Sequence, residues 1–139
     1  LRVGDTVTIG SALTGAPVNT IVSNNSLIAS YTGASISTTS TQNLDVWSTS
    51  TYRTAKYLVQ LVDTGFTPNR VHTTEMMIFH DGAGNIYKSE YGVVTNVGEL
   101  GTFDATMTGN GVQLTFTPSF PSLTPSALVV KAYRTSITA

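Results

Sequence analysis

Hydrophobic and polar residues alternate along much of the second half of the chain, with the two-residue period of β-strands. The clearest example is residues 102–108, where Phe103, Ala105 and Met107 alternate with polar residues. Gly-Asn-Gly follows at 109–111, and a second alternating run occupies residues 112–116. Glycine and asparagine tolerate the positive φ angles that a tight hairpin turn requires. This segment therefore predicts a β-hairpin.

Two earlier segments predict a second group of strands. Both faces of residues 54–62 are largely apolar, which is typical of a central strand covered on both sides. Residues 73–81 form another such run, and the glycine-rich residues 81–85 predict a turn. Residues 86–91 then return as the next strand. Tyr87 and Tyr91 lie on one face of that strand, and we expect this face to be buried.

The connection before the last predicted strand, residues 127–135, contains Pro118, Pro121 and Pro125. Proline cannot donate a backbone hydrogen bond, so we expect the chain to cross between sheets there. Turn signals recur along the chain, and no segment has a helical period. The sequence predicts an all-β protein, an antiparallel two-sheet β-sandwich with a jelly roll as the favoured variant, and an open barrel as the alternative.

Charged residues divide the chain into two parts. No Asp, Glu, Lys or Arg occurs between Asp5 and Asp45. We interpret residues 1–44 as a charge-poor extended arm with the first strands, and residues 45–139 as the sandwich core. Together they have the length of one domain. Because the arm lacks solubilising charges, we expect it to reach a neighbouring copy.

Composition excludes several classes of function. Charged residues make up 11% of the chain, against about 25% in average proteins, while 24 threonines and 14 serines fill the difference. With a net charge of −1, the chain lacks the excess of basic residues that is typical of a nucleic-acid binder. The apolar runs are too short to span a membrane, and the absence of cysteine excludes disulfides and thiolate metal sites.

Candidate catalytic and metal-binding residues form no convincing constellation. Only His72 and His80 could act as a base for the many hydroxyl groups, and His80 adjoins Asp81. Glu75 and Glu90 could face each other across the predicted hairpin, although a surface charge cluster with Lys88 is the simpler interpretation. A metal site from Glu75, His80 and Asp81 is disfavoured, because Glu75 and His80 point to opposite faces of a strand. We expect no enzyme activity, no metal and no cofactor.

Two aromatic residues offer a different kind of site. Trp47 and Tyr52 lie in a polar context, where an exposed ring could stack on a sugar. Packing in the core or against another subunit is the favoured alternative, because large aromatic side chains contribute strongly when they are buried.

Several segments between residues 48 and 135 resemble virion structural proteins of tailed phages. They are Ser-Thr-Ser-Thr-Tyr-Arg-Thr-Ala-Lys-Tyr-Leu-Val-Gln at 48–60, with residues 74–82, 89–92, 100–105 and 129–135. The block is similar to the C-terminal β-rich module of appendage and fibre-type proteins of cyanophages. The residues that carry the resemblance most clearly are Tyr52, Arg53, Ala55, Lys56, Tyr57, His80, Asp81, Gly82, Glu90, Tyr91, Phe103 and Asp104.

The resemblance implies a non-enzymatic structural component exposed on the virion. Such a component would associate with copies of itself, a trimer being favoured, and dock on other proteins of the head, neck or tail. On the head it would be a capsid decoration. The alternative is a fibre-tip module that binds a receptor or host-surface glycan, with Trp47 and Tyr52 as the ligand platform.

Overall fold

The computed structural model describes residues 19–23, 26–36, 38–119 and 128–139. These residues form nine β-strands: β1 Asn19–Ser23, β2 Ser26–Ile36, β3 Gln42–Ser48, β4 Tyr52–Asp63, β5 Arg70–His80, β6 Ile86–Thr95, β7 Gly101–Thr108, β8 Gly111–Pro118 and β9 Leu128–Thr138. One sheet has the order β1-β2-β9-β4-β5-β6 and the other β3-β8-β7, and all pairings are antiparallel. The predicted two-sheet β-sandwich is confirmed. The strand order does not support the jelly-roll variant, because β4, β5 and β6 are sequential neighbours in one sheet.

The strand β4 is central in the large sheet, between β9 and β5, as its apolar sequence predicted. Its inward side chains, from Ala55 to Leu61 at alternate positions, are fully buried against the small sheet. The opposite face is different, since Leu58 is 44% exposed and Lys56 and Gln60 are exposed. The prediction that both faces of this strand are covered is therefore wrong: one face packs in the core and the other points outward.

The small sheet supplies the other half of the core. Its predicted hairpin is confirmed as β7 and β8, with Gly109 at φ 56° in the turn. Phe103 and Phe116 pack with ring centroids 4.9 Å apart. A Cβ atom on Gly101 would lie 2.4 Å from the Phe116 ring, so this position needs glycine for the close approach of the ring.

The strand β6 has the opposite orientation to the one predicted. Its register places Tyr87 opposite Phe79, and Tyr91 opposite Glu75. Opposite residues of paired strands share a face, and Phe79 and Glu75 lie on the outward face of β5. Both tyrosines are consequently exposed, whereas Ile86 packs on the core. The prediction of a buried tyrosine face is wrong because β5, and not β6 itself, determines which side faces inward.

The chain crosses from the small sheet at Pro118 to β9 in the large sheet, as the prolines predicted. Pro121 and Pro125 lie outside the described residues. So do residues 1–18 of the predicted arm. Within the described residues, β1 pairs with β2, and β2 pairs with β9 of the same chain. Exchange of the arm between copies stays a prediction.

Candidate functional site

The two histidines serve the fold. His80 is buried, its Nε2 donates to the Tyr52 carbonyl oxygen over 2.8 Å, and the Gly82 amide donates to its Nδ1 over 3.2 Å. This ring therefore joins the start of β4 to the turn after β5. His72 is buried beside Phe103, and its Nδ1 accepts from the Leu100 amide over 3.2 Å. Neither ring is presented to solvent as a general base.

Burial lowers the pKa of His72 from its ordinary value of 6.5. As the pH falls through 6.5, the unfolded chain gains a proton on this ring that the folded chain resists, so stability is lost. We expect the free energy of unfolding to fall between pH 7.5 and pH 5.5, and His72→Asn to reduce that fall. Urea denaturation of both proteins at the two pH values measures this. An identical pH dependence in the variant would contradict the prediction.

The carboxylates do not form a catalytic pair. Glu75 is on the outward face of β5, where its Oε2 lies 3.3 Å from Nζ of Lys56. Glu90 faces the other way and accepts from the Thr74 hydroxyl over 3.0 Å. The register pairs Glu75 with Tyr91, which leaves the two carboxylates on opposite faces of the sheet. The predicted cluster with Lys88 is wrong for Glu75, which pairs with Lys56 instead, while Nζ of Lys88 lies 3.8 Å from Oδ1 of Asp104.

Asp81 closes the predicted turn. Its Oδ1 accepts from the amides of Ala83 and Asn85, at 2.7 and 3.1 Å, and its Oδ2 accepts from the Asn85 side chain. The Asn85 side chain, followed by the Ala83 amide, holds the pKa of this carboxyl below its usual value. His80 and Glu75 point to opposite faces, as predicted. In the described ranges no three His, Asp or Glu side chains are grouped to hold a metal ion.

The two residues of the predicted ligand platform, Trp47 and Tyr52, differ in how deeply they are buried. Trp47 retains 2% of its surface, and its ring lies 5.8 Å from the His80 ring. A ring so buried offers no face to a sugar, so core packing, the favoured alternative, describes Trp47. Tyr52 is half-buried and packs on the same core.

The residues that carry the resemblance do not converge on one place. Tyr52, Arg53, His80 and Gly82 meet at one end of the large sheet through the contacts of His80. Lys56 lies on the outward face, 5.9 Å from the centre of the Tyr91 ring.

The remaining residues of that set are distributed between the core and the surface. Ala55 and Phe103 are core residues. The buried Tyr57 donates its hydroxyl to Asp45 of the small sheet over 2.9 Å. Asp104 is exposed, 3.8 Å from Nζ of Lys88. The set therefore marks the framework of the sandwich and two separate surfaces.

The first of these surfaces is an open depression of about 500 Å³ at the end of the sandwich. Arg53 lines it together with Thr49, Ser50 and Asn110, which come from the β3–β4 and β7–β8 turns. The guanidinium group makes one long hydrogen bond, 3.5 Å to the His80 carbonyl oxygen, and no described carboxylate lies within ion-pair distance of it. The depression thus presents a cation among hydroxyl and amide groups.

The sequence pattern indicated Arg53 but not the rest of this depression. Thr49, Ser50 and Asn110 lie in turns and share no pattern with Arg53, so only the folding of the sheets brings them together. Gly82 completes the wall at φ +86°, and a Cβ atom there would lie 2.7 Å from Nη1 of Arg53. The turn therefore requires glycine for its backbone, whereas a Cβ atom would displace only the end of the flexible Arg53 side chain.

The second surface is the outward face of the large sheet. Six large side chains on β4, β5, β6 and β9 are each 42–58% exposed there, and we call them the outer patch: Leu58, Met77, Phe79, Tyr87, Tyr133 and Ile137. The register places them side by side, with Tyr133 opposite Leu58, and Phe79 opposite Tyr87. The rings of Phe79 and Tyr87 stack at 4.8 Å.

One ion pair lies within the outer patch. Lys56 lies directly opposite Met77, and Glu75 lies directly opposite Leu58. The two charged side chains are therefore diagonal neighbours on adjacent strands, and each has an apolar residue opposite it. Hydrogen bonding to Glu75 raises the pKa of Lys56. This surface was not predicted from the sequence, although the apolar second face of β4 was a signal for it. That face was interpreted as covered because the pattern itself does not distinguish burial within the chain from exposure.

In the described residues no helix has the length and apolar character to cross a membrane.

Comparison with known proteins finds little similarity. No protein-family profile matches the chain, and no curated protein matches it. Among solved structures, the chain is similar to the tailspike protein of Acinetobacter baumannii phage AM24, with a TM-score of 0.43 and 10% identity. The likeness covers 81% of this chain and 26% of the tailspike, so the chain spans about a quarter of that protein's length.

Proposed function

We propose that the chain is a non-enzymatic structural component of a phage virion, of the cyanophage type that the sequence resembles. It associates with copies of itself and docks on another protein of the head, neck or tail. The outer patch is the observation that carries this proposal. A sheet that already has a complete core on one side presents six large apolar side chains on the other.

The contiguous apolar character of this surface indicates a role in assembly. Scattered exposed apolar residues are ordinary, but contiguous patches on soluble proteins mark interaction surfaces. The low charge content of the chain agrees with this role, since charged residues are depleted at the centres of interfaces. The resemblance of residues 48–60 and 129–135 to phage virion proteins supports the same class of function.

The direct test is the protein content of purified virions. Mass spectrometry of particles from the phage that encodes the chain should detect its peptides at many copies per particle. Immunogold labelling with an antibody against the chain should then locate it on the head, neck or tail. Its absence from washed, intact particles would overturn the proposal.

The depression around Arg53 supports a second candidate, a fibre-tip module that binds host-surface glycan. A guanidinium group with no described carboxylate within ion-pair distance, beside hydroxyl and amide groups, suits a carboxylated sugar, because arginine can bind a carboxylate through two parallel hydrogen bonds. Trp47 has no part in this version of the site, since its ring is buried. Tyr52 contributes to this site only indirectly, because its backbone carbonyl oxygen accepts a hydrogen bond from His80.

For this second candidate we expect binding of uronic-acid or sialic-acid glycans on a glycan array. Arg53→Ala should weaken that binding by about 10- to 100-fold, the range expected for loss of a hydrogen bond to a charged group. Lys131→Ala, which removes an exposed cation on β9 away from the depression, is the matched control. Equal binding by the two variants, or no binding by the folded protein, would contradict a glycan site at Arg53.

A further inference from the structure

We propose that two copies of the chain pair face to face through the outer patch, related by a two-fold axis that passes between Lys56 and Glu75. This inference rests on the self-association in the proposed function and names its surface and its partner. The occupant is a second copy of the same face. The area, the charges and the symmetry of this face support the pairing.

The area is sufficient for a specific contact. A large side chain presents about 200 Å² when fully exposed, so six side chains at 42–58% exposure contribute roughly 500–600 Å² of apolar surface. This equals the largest patches found on typical monomers, about 300–600 Å². The polar side chains between them, including Lys56, Glu75 and Thr54, bring the face close to the roughly 800 Å² that each partner contributes to a standard interface.

Apart from Lys131, an exposed cation opposite Gln60 on the same face, the charges of the face are complementary to themselves. Its centre carries one cation and one anion, Lys56 and Glu75, with side chains 46% and 36% exposed. A two-fold axis in the plane of the interface, between these groups, places each lysine over the glutamate of the other copy. Four charges then alternate in sign at the centre of an apolar contact. A partner without this pattern would leave one or both groups desolvated and unpaired.

Symmetry and sheet geometry are consistent with such a pair. A surface that meets itself across a two-fold axis closes a dimer. Sheets stack face to face at about 10 Å, and side chains from both faces interdigitate. The resemblance favours a trimer, in which the patch would instead have to meet a different surface of the next copy. The solution mass therefore distinguishes the two arrangements.

The decisive experiment mixes two variants of opposite charge. Lys56→Glu gives a face with two carboxylates, and Glu75→Lys gives a face with two ammonium groups. Each variant alone brings like charges together across the two-fold axis, so we expect its dimerisation in sedimentation equilibrium to weaken at least about tenfold. Mixed in equal amounts, the variants should form a heterodimer. Loss of an ion pair within one chain cannot produce this recovery.

Cross-linking gives a second readout that does not depend on charge. The chain contains no cysteine, so Leu58→Cys introduces a single thiol in the outer patch. A short bismaleimide should convert it to a covalent dimer. Val46→Cys is the matched control, because Val46 is 52% exposed on a strand of the small sheet, away from the patch. Circular dichroism of each variant verifies the sandwich.

The inference would be overturned by a monomeric wild type at all accessible concentrations, by a trimer, or by the absence of a heterodimer from the mixed variants. Binding of a different virion protein to this face without any dimer would overturn it as well. None of these results alters the detection of the chain in purified virions, which tests the proposed function separately. A virion protein that stays monomeric would leave the structural role in place and remove this contact together with the self-association included in the proposed function.

Discussion

Replacing Asp63 with alanine should lower the free energy of unfolding by about 3–5 kcal/mol, the cost of leaving one partner of a buried ion pair alone. Asp63 is fully buried at the end of β4. Its Oδ2 accepts from Nη2 and Nε of Arg70, at 2.7 and 3.1 Å, and its Oδ1 accepts from the Gly65 amide over 3.0 Å. The guanidinium group also lies 3.4 Å from the centre of the Phe66 ring.

This cluster holds the β4–β5 hairpin, so its loss affects the central strand of the large sheet. Urea denaturation of wild type and variant measures the difference. Asp104→Ala is the control, because Asp104 is 75% exposed and its ion pair with Lys88 spans 3.8 Å. Removal of such a surface pair should cost less than about 1 kcal/mol. Equal losses for the two variants would show that the buried pair contributes no more than the exposed one.

Replacing Asp45 with alanine should cost about 3 kcal/mol, because it breaks a polar connection between the two sheets. Asp45 belongs to β3 of the small sheet. Its Oδ2 accepts from Nη1 of Arg134 over 2.5 Å and from the Tyr57 hydroxyl over 2.9 Å, both in the large sheet. Burial, followed by the Asp45 charge, raises the pKa of Tyr57, so its hydroxyl stays protonated and donates.

A double-mutant cycle with Tyr57→Phe tests this connection. In the wild-type background, Tyr57→Phe should cost about 1.5–3 kcal/mol, the loss of a hydrogen bond to a charged group. In the Asp45→Ala background the same change should cost much less, because the acceptor is already gone. Chemical denaturation of the four proteins gives the coupling. Strictly additive losses would contradict the three-residue connection.

Local chemistry explains why part of the fold was predictable. The β7–β8 hairpin follows from the alternation around Phe103 and from Gly109, which adopts a positive φ. The turn after His80 follows from Asp81, whose carboxylate accepts hydrogen bonds from the backbone amides of Ala83 and Asn85. The central position of β4 follows from its apolar composition. In each case the residues that determine the structure are close together in the sequence.

The candidate surfaces depend on residues that are distant in the sequence. The Asp45–Arg134 pair joins positions 89 residues apart, and the depression around Arg53 combines turns from both sheets. No local pattern connects such residues, because their proximity arises only after the strands have paired and the sheets have packed. The open site at Arg53 and the inter-sheet connection therefore required the structure.

The sequence by itself determined the strands β4 to β9, the tight turns between them and the class of the fold, because a two-residue period shows which side chains share a face. Only the tertiary structure decided which face is inward. Tyr87 and Tyr91 share a face, as predicted, but the register of β6 with β5 places that face outside. The second face of β4, with Leu58, is likewise apolar and exposed. Periodicity is a property of one strand, whereas burial depends on which neighbouring strand or sheet covers it.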